Sequence, residues 1–427
     1  MRRRVSWLVP LTWVTVALGL FGVIAPLASP LAMAEESIRL VSDESPEAVP
    51  EGSSWPDPDV LVQAVLGEAG KAALEVKSPS VLLMEPLSGQ VLFLKDADRK
   101  LAPASLTKIM TLLLAIEAIE EGKLSRTETL TASANAESYG GTEIWLEPGE
   151  EMPIEEVLLS IAVASANDAS VALAEHMAGS EEAFVALMNE RARELGLTGT
   201  HFANSHGLDD PNHWSTARDM ALLCSEAAKH PDLLHYTAIY EIHIRPGGET
   251  WLVNRNQMVN FYQGCDGLKT GWTNEAGYSL AVTAKRGETR FVVIAMGATS
   301  SADRFADSAR LLNWAFASYT SLVVAEEGHT YGAVPVNLGV THEVEAVAPS
   351  EQGVLVDKGS EGEVTREVTL AARLKAPVKR GDAVGTIVVK RDGTEIGRST
   401  LVADRDVRRL SLFGVWWRLF RRVLGEA

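Results

Sequence analysis

The chain has 427 residues, a formal net charge of −18 and two cysteines. This length favours two or more domains and readily buries a full hydrophobic core. The acidic balance argues against a nucleic-acid partner, because proteins that bind nucleic acids present basic faces. Cys224 and Cys265 are too few for a disulfide scaffold and lie in no C-x-x-C pair, so we expect two small apolar side chains, with a single disulfide as the alternative.

The N-terminus has the pattern of an export signal. "MRRR" is basic, residues 5–34 carry no charge, and Ala32 and Ala34 form an A-x-A cleavage pattern before Glu35. We therefore predict a signal peptide over residues 1–34. The apolar run is long, so an uncleaved membrane anchor is the alternative. In both cases the remainder is exported and the arginines stay inside, so the function must work without cytosolic ATP or NAD.

Residues 35–76 form an acidic linker and a lead-in, of which 35–59 are rich in Glu, Asp, Pro and Ser and predict disorder. The pattern from residue 77 to about 320 has strands at both ends and helices between them. It predicts one α/β or α+β domain. In chain order we predict a hairpin that turns at Ser88-Gly89, a helix from Ser105 to about Glu121, two apolar helices interrupted at 165–168, a helix capped by Ser180, a helix capped by Ser215 or Thr216, strands at "TWLVNRN", "GYSLAVTAKRG" and "TRFVVIAMGA", and a helix at "RFADSARLLNWAFASY".

The residue pattern changes after about residue 321. Short alternating strands with glycine turns over residues 325–405 predict a small all-β domain, with one hairpin at Asp392-Gly393. Residues 406–427 predict a helix with a basic stripe of Arg418, Arg421 and Arg422 against Trp, Phe and Leu. Such a helix is typical of one that lies in a membrane interface. The alternative is a helix docked on the β domain.

The first candidate for chemistry is Ser105 with Lys108, at the start of a long apolar helix. Residues i and i+3 share one face of a helix. A serine hydroxyl is a poor nucleophile until a base takes its proton, and a desolvated lysine of lowered pKa can be that base. Backbone N–H groups at a helix start can stabilise an oxyanion. This spacing alone is a weak signal.

Two further polar groups lie downstream. Ser165 and Asn167 interrupt an apolar run and could relay a proton and bind a substrate amide, although a polar helix junction is the plainer interpretation. Lys269-Thr270-Gly271 lies at the predicted start of a strand, where an edge can pair with a peptide. The lysine adds positive charge, the threonine a hydroxyl suited to a carboxylate, and the glycine a close backbone approach.

The three groups occur in the order S-x-x-K, S-x-N and K-T-G, a trio described for β-lactamases and penicillin-binding proteins. "PASLTKIMT", "GTEIWLEPGE", "SANDAS", "NSHGLDDPNHWSTARDMALL" and "DGLKTGWTNEAGYSLAVTAKR" also follow one another in the family order. The chain thus resembles the low-molecular-weight penicillin-binding proteins that are serine-type D-alanyl-D-alanine carboxypeptidases of peptidase family S11. The resemblance covers residues 77–320, and more weakly the β domain and terminal helix.

The resemblance implies an α+β fold. It consists of a β-lactamase/transpeptidase-like domain, with an antiparallel sheet, flanking helices and a helical subdomain, followed by the small all-β domain and the amphipathic helix. It also implies no cofactor and no metal. The expected partners are peptidoglycan stem peptides, β-lactams as covalent inhibitors, and a membrane surface held by the C-terminal helix at the outer face of the cytoplasmic membrane.

The resemblance also implies roles for single residues. Ser105 would form the acyl-enzyme and Lys108 would be its base. Ser165 would pass protons to the leaving amine, and Asn167 would hold the substrate amide. Lys269 would organise the charges, Thr270 would bind the terminal carboxylate, and the N–H groups of Ser105 and Trp272 would form the oxyanion hole. Gly271 would allow close approach, and Arg304 matches a family arginine near the carboxylate.

Alternatives on the same scaffold are a D,D-endopeptidase, a β-lactamase and a non-catalytic β-lactam sensor. Trp272 stands where some members of the family have His, and Ala166 where some have Gly. The first change leaves the deacylation rate open. A loop with His201, His206, Asp209, Asp210 and His213 lacks regular ligand spacing, so a metal site is not expected there.

Overall fold

The computed structural model describes residues 36–40 and 74–423. The predicted signal peptide and most of the predicted linker and lead-in lie outside the described residues. The helices are α1 (Lys108–Glu120), α2 (Ala134–Glu137), α3 (Ile154–Leu159), α4 (Asn167–Ala178), α5 (Glu181–Glu194), α6 (Ala217–Ala227), α7 (Pro231–Ala238), α8 (Met258–Phe261), α9 (Ser301–Ser318) and α10 (Leu412–Val423). The strands are β1 (Glu36–Leu40), β2 (Ser80–Glu85), β3 (Gln90–Lys95), β4 (Thr129–Thr131), β5 (Glu151–Pro153), β6 (Glu241–Ile244), β7 (Thr250–Val253), β8 (Cys265–Thr273), β9 (Gly277–Arg286), β10 (Thr289–Ala298), β11 (Tyr319–Ala325), β12 (Thr330–Asn337), β13 (Glu343–Val347), β14 (Gln352–Asp357), β15 (Val364–Leu370), β16 (Leu374–Lys375), β17 (Ala383–Arg391) and β18 (Thr394–Ala403).

A five-stranded antiparallel sheet of order β3-β2-β10-β9-β8 forms the centre of the first domain. Both faces of this sheet are covered by helices. Successive side chains of a strand point to opposite faces, so on a sheet of this kind both sets are buried. On β2, Val81 and Leu83 pack with helix α9, whereas Leu82 and Met84 pack with the core that includes α1 and α6. Residues 80–85 are therefore a continuous apolar run rather than an alternating one.

Strand β8 lies at an edge of this sheet, and among the described residues β9 is its only neighbour there. The 3₁₀ turn Ala104–Thr107 and helix α1 contact β8, and the π-helical turn Ser160–Ala164 and helix α4 contact α1. This arrangement brings three distant parts of the chain, around residues 105, 165 and 269, to one edge.

A seven-stranded sheet of order β1-β15-β17-β18-β13-β12-β16 and the pair β11-β14 build the second domain. Its core is formed by branched side chains such as Val368, Ile387 and Val389. On β12 the burial alternates between outward and inward residues, as expected for strands with one wet face. Helix α10 follows this domain. Among the described residues, none of the helices combines the length and the apolar character needed to span a bilayer.

Several local predictions are confirmed. The turn at Gly89 joins β2 to β3, and Asp392-Gly393 joins β17 to β18. The Ser180 side chain caps α5 by accepting from the Ala183 N–H, and Thr216, not Ser215, caps α6. Cys224 and Cys265 are free thiols.

Two details differ from expectation. Residues 36–40, predicted as part of a disordered linker, form β1, which pairs in parallel with β15. The alternation in "SIRL" is too short to predict a strand within such an acidic stretch. Lys269 lies in the middle of β8 rather than at its start, because the strand begins at Cys265.

Candidate active site

Ser105 lies on the 3₁₀ turn, and Lys108 is the first residue of α1. Lys108 Nζ is 3.3 Å from Ser105 Oγ. Ser105 is half-buried, whereas Lys108 is completely buried. The turn therefore presents the hydroxyl to the surface and places the amine behind it.

The Lys108 amine is held by two carbonyl oxygens. Nζ donates to Asn167 Oδ1 and to the backbone oxygen of His206, both at 2.6 Å. Burial, followed by the charge of Lys269, holds the pKa of Lys108 well below its usual range, and Asp168 opposes this shift. A neutral amine has two N–H groups and one lone pair. With both N–H groups taken by the carbonyls, the lone pair is left for the Ser105 hydroxyl.

Ser165 follows the π-helical turn, and Asn167 is the first residue of α4. Ser165 has a left-handed backbone (φ 72°), a conformation that costs free energy for a residue with a side chain. Asn167 spans two segments, since its Oδ1 accepts from Lys108 and its Nδ2 donates to the Gly140 oxygen at 2.8 Å. Its backbone N–H donates to the Thr142 oxygen at 2.7 Å. The amide is thus fixed in orientation by its contacts.

Lys269 and Thr270 are buried on β8. Burial, with the charges of Arg304 and Arg255, lowers the pKa of Lys269 to about 7. A Cβ added to Gly271 would lie 3.0 Å from the Pro103 oxygen and 3.2 Å from the Ser105 nitrogen. Only glycine permits this approach without displacement of backbone, as the K-T-G motif suggests.

These residues surround a cleft of about 600 Å³. Of the residues predicted from the sequence, Ser105, Ser165, Thr270, Gly271, Trp272 and Arg304 line the cleft. The predicted residues Lys108, Asn167 and Lys269 lie behind this lining, where Lys108 and Asn167 are in mutual contact. The structure therefore brings all nine predicted residues to one site.

Arg304 is anchored on the backbones of β8 and β9. Its Nη1 donates to the oxygens of Gly271 at 2.9 Å and Ser279 at 3.0 Å, and burial lowers its pKa to about 10. The Gly271 oxygen belongs to the same peptide group as the Trp272 N–H. The guanidinium thus fixes the orientation of that peptide group and polarises it.

Sequence reasoning missed three parts of the site. Arg255 lines the cleft, and "NRN" carries no pattern that would identify it. The Asp168 carboxylate accepts the N–H groups of Ile144 and Leu146 and so holds one cleft wall, although the motif "SAND" already contained this residue. The His206 contribution is a backbone oxygen, which has no side-chain signature.

Two groups of acidic and histidine side chains outside the cleft have partners within the protein. In the part of the chain that is described, Glu117, Glu226 and His230 are the one group with a spacing that could suit a metal ion. Arg191 donates to both carboxylates, at 2.6 and 3.0 Å, so a cation already occupies their centre. In the histidine loop, His213 contacts Thr107 Oγ1 at 2.8 Å, and burial lowers the His213 pKa to about 4.

A serine beside a buried amine of lowered pKa, at the edge of a sheet, can support acyl transfer without a cofactor. The family model described as D-alanyl-D-alanine carboxypeptidase, peptidase S11, matches residues 67–300. The model described as penicillin-binding protein 5, C-terminal domain, matches residues 319–409.

Individual proteins agree with the family models. D-alanyl-D-alanine carboxypeptidase DacF of Bacillus subtilis is 39% identical over 362 residues, which are 84% of this chain and 92% of that protein. DacC of Escherichia coli is 35% identical over 355 residues, which are 80% and 88% of the two chains. The crystal structure of penicillin-binding protein 5 from Haemophilus influenzae matches with a TM-score of 0.68 and 30% identity, and covers 78% of this chain and 98% of that one.

The chain belongs to the serine D-alanyl-D-alanine carboxypeptidases of peptidase family S11. The predicted family and the predicted fold class are thereby confirmed.

Proposed function

We propose that this protein is an exported carboxypeptidase that removes the terminal D-alanine from peptidoglycan stem pentapeptides. The observation that carries the proposal is the buried Lys108 amine, which two carbonyl oxygens hold 3.3 Å from Ser105 Oγ. Family membership supports the substrate class. β-Lactams would acylate the same serine.

In the first step, neutral Lys108 takes the hydroxyl proton as Ser105 Oγ attacks the carbonyl carbon of the penultimate D-alanine. The C–N bond to the terminal D-alanine then breaks. Ser165 Oγ passes the proton from Lys108 to the leaving amine, so Lys108 is neutral again. The left-handed backbone of Ser165 supports this role, because strain of this kind persists where the surrounding structure requires a special placement.

The developing oxyanion would lie between the N–H groups of Ser105 and Trp272. Gly271 permits the close approach of the two backbones, and Arg304 fixes the peptide group between Gly271 and Trp272. Preorganised donors of this kind act on charge that develops in the transition state. Thr270 would hold the substrate carboxylate within the positive field of Lys269 and Arg304.

In the second step, water attacks the ester carbon of the acyl-enzyme. Lys108 takes the proton of this water and returns it to Ser105 Oγ as the ester bond breaks. Asn167 would orient the substrate amide through its fixed side chain. The products are the shortened peptide and the free enzyme.

The decisive experiment measures D-alanine release from a pentapeptide that ends in D-Ala-D-Ala, together with labelling by a fluorescent penicillin. We expect the wild type and Ser125→Ala, a change at an exposed serine, to show both activities. Ser105→Ala should show neither. Labelling that survives Ser105→Ala would refute the serine assignment. Rapid penicillin hydrolysis without D-alanine release would identify a β-lactamase instead.

We also propose that α10 attaches the enzyme to the outer face of the cytoplasmic membrane. Leu412 is 92% exposed, Phe413 72% and Trp416 57%, which is a high cost for apolar side chains in water. Arg418, Arg421 and Arg422 lie on the same helix and suit anionic headgroups. The β domain would then act as a pedestal between membrane and active site.

Deletion of residues 411–427 tests the attachment, because the Leu410 N–H still bonds the Leu338 oxygen and belongs to the β domain. The truncated enzyme should leave the membrane fraction and keep its D-alanine release. If it still sediments with membranes, the N-terminal segment is an uncleaved anchor and α10 has another role.

A further inference from the structure

A buried carboxylate lies behind the active site and takes no part in the chemistry described above. Glu181 is the first residue of α5 and is buried, and it is not among the residues that line the cleft. Its Oε1 accepts from the Ser205 N–H at 2.9 Å and from Ser205 Oγ at 2.7 Å. Its Oε2 accepts from the Tyr139 hydroxyl at 2.8 Å. A buried carboxylate with three donors is well compensated and holds its partners firmly.

The first partner segment carries the carbonyl that holds Lys108. The Ser205 oxygen accepts from Thr111 Oγ1 on α1 at 2.6 Å, and the next oxygen, of His206, accepts from Lys108 Nζ. The following residue, Gly207, has φ 93°, and a Cβ there would lie 1.9 Å from the Ala104 oxygen. The segment is thus pressed against the turn that bears the nucleophile, and Glu181 holds it from the far side.

The second partner segment carries the carbonyl that holds Asn167. The Gly140 oxygen, one residue after Tyr139, accepts from Asn167 Nδ2. Asn167 Oδ1 in turn accepts from Lys108. Glu181 therefore supports both oxygens that hold the lysine amine, one through Ser205 and the other through Tyr139.

The bonds close into a ring through Lys108, the backbone at 205–206, Glu181, the backbone at 139–140, and Asn167. We propose that Glu181 is a positioning residue that aims the lone pair of Lys108 at Ser105. This inference rests on the proposed function, because it assigns Lys108 as the base. Glu181 is the charged junction of the ring and touches neither substrate nor reacting atoms.

The position of the amine matters because a neutral Lys108 must give both N–H groups to the carbonyls to turn its lone pair towards Ser105. If either carbonyl shifts, the lone pair turns away and water gains access to the amine. A misplacement of about 1 Å can cost about 100-fold in rate. Water would also reduce the desolvation of Lys108 and raise its pKa towards the ordinary value.

Other charged and titratable groups also face this amine. Lys269 lowers the Lys108 pKa and Asp168 raises it. Burial lowers the His206 pKa to about 3 and that of His213 to about 4, so both rings stay neutral at working pH. The His206 ring lies beside Glu181, with Nε2 3.5 Å from Oε1, and its neutrality leaves Glu181 as the charge in this group.

The test compares Glu181→Gln with Glu182→Gln, the exposed neighbour on the same helix. Glutamine can accept bonds at one atom only, so Glu181→Gln loosens one arm of the ring. We expect the penicillin acylation rate to fall about 10- to 100-fold. The acid limb of its rate–pH profile should also move to higher pH, because water that reaches the amine raises the Lys108 pKa. The lost Glu181 charge would by itself act in the other direction, so Tyr139→Phe, which keeps every charge, is measured beside it. Glu182→Gln should match the wild type in both respects.

If Glu181 only stabilised the fold, Glu181→Gln would reduce the fraction of active enzyme equally at every pH. The acid limb of the rate–pH profile would then stay in place. That result would overturn the proposal, as would a wild-type rate in Glu181→Gln. If Glu181→Gln does not fold, Tyr139→Phe removes a single donor and should give a smaller shift in the same direction; an unmoved acid limb in Tyr139→Phe would then refute the proposal. A wild-type enzyme that neither releases D-alanine nor reacts with penicillin would instead refute the proposed function.

Discussion

Lysine and arginine side chains are placed differently in the cleft and in the β domain. In the β domain, Lys390 pairs with Glu367 at 2.8 Å and Arg398 with Glu395 at 3.0 Å, and all four side chains remain partly exposed. In the cleft, Lys108 and Lys269 are buried, and among the described residues neither has a carboxylate within 4.0 Å. Exposed pairs contribute little and cost little, whereas an unpaired buried amine costs stability unless it loses its proton.

The cleft therefore contains features that lower the stability of the fold, whereas the β domain does not need them. The β domain follows the ordinary rules of alternation, turns and surface charge, and it has the properties of a support. The cleft departs from them with its two buried amines, Lys108 and Lys269. Departures from local consistency concentrate at functional sites.

The largest effect is expected from Lys108. Lys108→Met should reduce penicillin acylation by about 10²- to 10⁴-fold, because the proposed base is removed while the volume is kept. Lys108→Arg should not restore the rate, since a guanidinium remains protonated. Stopped-flow acylation measures both variants. Rapid acylation of Lys108→Met would show that another group is the base. Lys390→Met, in the β domain, is the matched control and should keep the wild-type rate.

The second prediction compares the cost of a Gly→Ala change at one glycine in each region. Gly207→Ala brings a Cβ within 1.9 Å of a backbone oxygen and should lower the free energy of unfolding by about 3 kcal/mol or more. Gly393→Ala, in an open turn at φ 77°, meets nothing within 4 Å and should cost about 1 kcal/mol. Denaturant unfolding of each purified variant measures these costs. Equal costs would mean that the segment at 207 can move away from Ser105.

The third test is the pH dependence of stability. The pKa of Lys269 is about 7 in the folded state and about 10.5 when unfolded, so between these values the unfolded state binds more protons. The free energy of unfolding should therefore rise with pH across this window, and Lys269→Met should flatten the rise. Lys390→Met should leave it unchanged. Denaturant titrations at pH 7 and pH 10 measure the slope. An unchanged slope in Lys269→Met would contradict the lowered pKa.

The smallest effect is expected from the Trp272 side chain, which is 53% exposed. Its proposed contribution to acylation is a backbone N–H, so Trp272→Ala should change the acylation rate by less than about threefold, a free energy difference below about 0.7 kcal/mol. Trp272→Pro, which lacks that N–H, is the contrasting variant and should acylate far more slowly. A large loss in Trp272→Ala would place the ring itself in the chemistry. Deacylation of the penicilloyl enzyme reports separately on the side chain.

The sequence allowed the family, the fold class and the trio of motifs to be predicted, because each depends on side chains at fixed spacing. Ser105, Ser165 and Lys269 are recognisable for that reason. It also placed most helices, since caps such as Ser180 leave a clear local pattern. The membrane role of α10 and the residue roles at the site stay predictions.

The support behind the lysine could not be predicted in the same way. The His206 contribution is a carbonyl that any residue could supply, and its place depends on a loop 98 residues away from Lys108. Glu181 resembles any acid in the first turn of a helix, where the dipole alone would explain it. Only the folded chain distinguishes a carboxylate that faces water from one that closes a ring.

The open edge of β8 has a consequence for the life of the protein outside its reaction. An unpaired strand edge is a template on which any extended chain, including a second copy, can add and begin to aggregate. Here the turn that bears Ser105 packs against Gly271 on the side where a Cβ would project, which is the face of the sheet, so in the described part of the chain the hydrogen-bonding edge of β8 stays open. The edge that suits an extended peptide is therefore also a place where copies of the enzyme can begin to associate when it is concentrated or refolded.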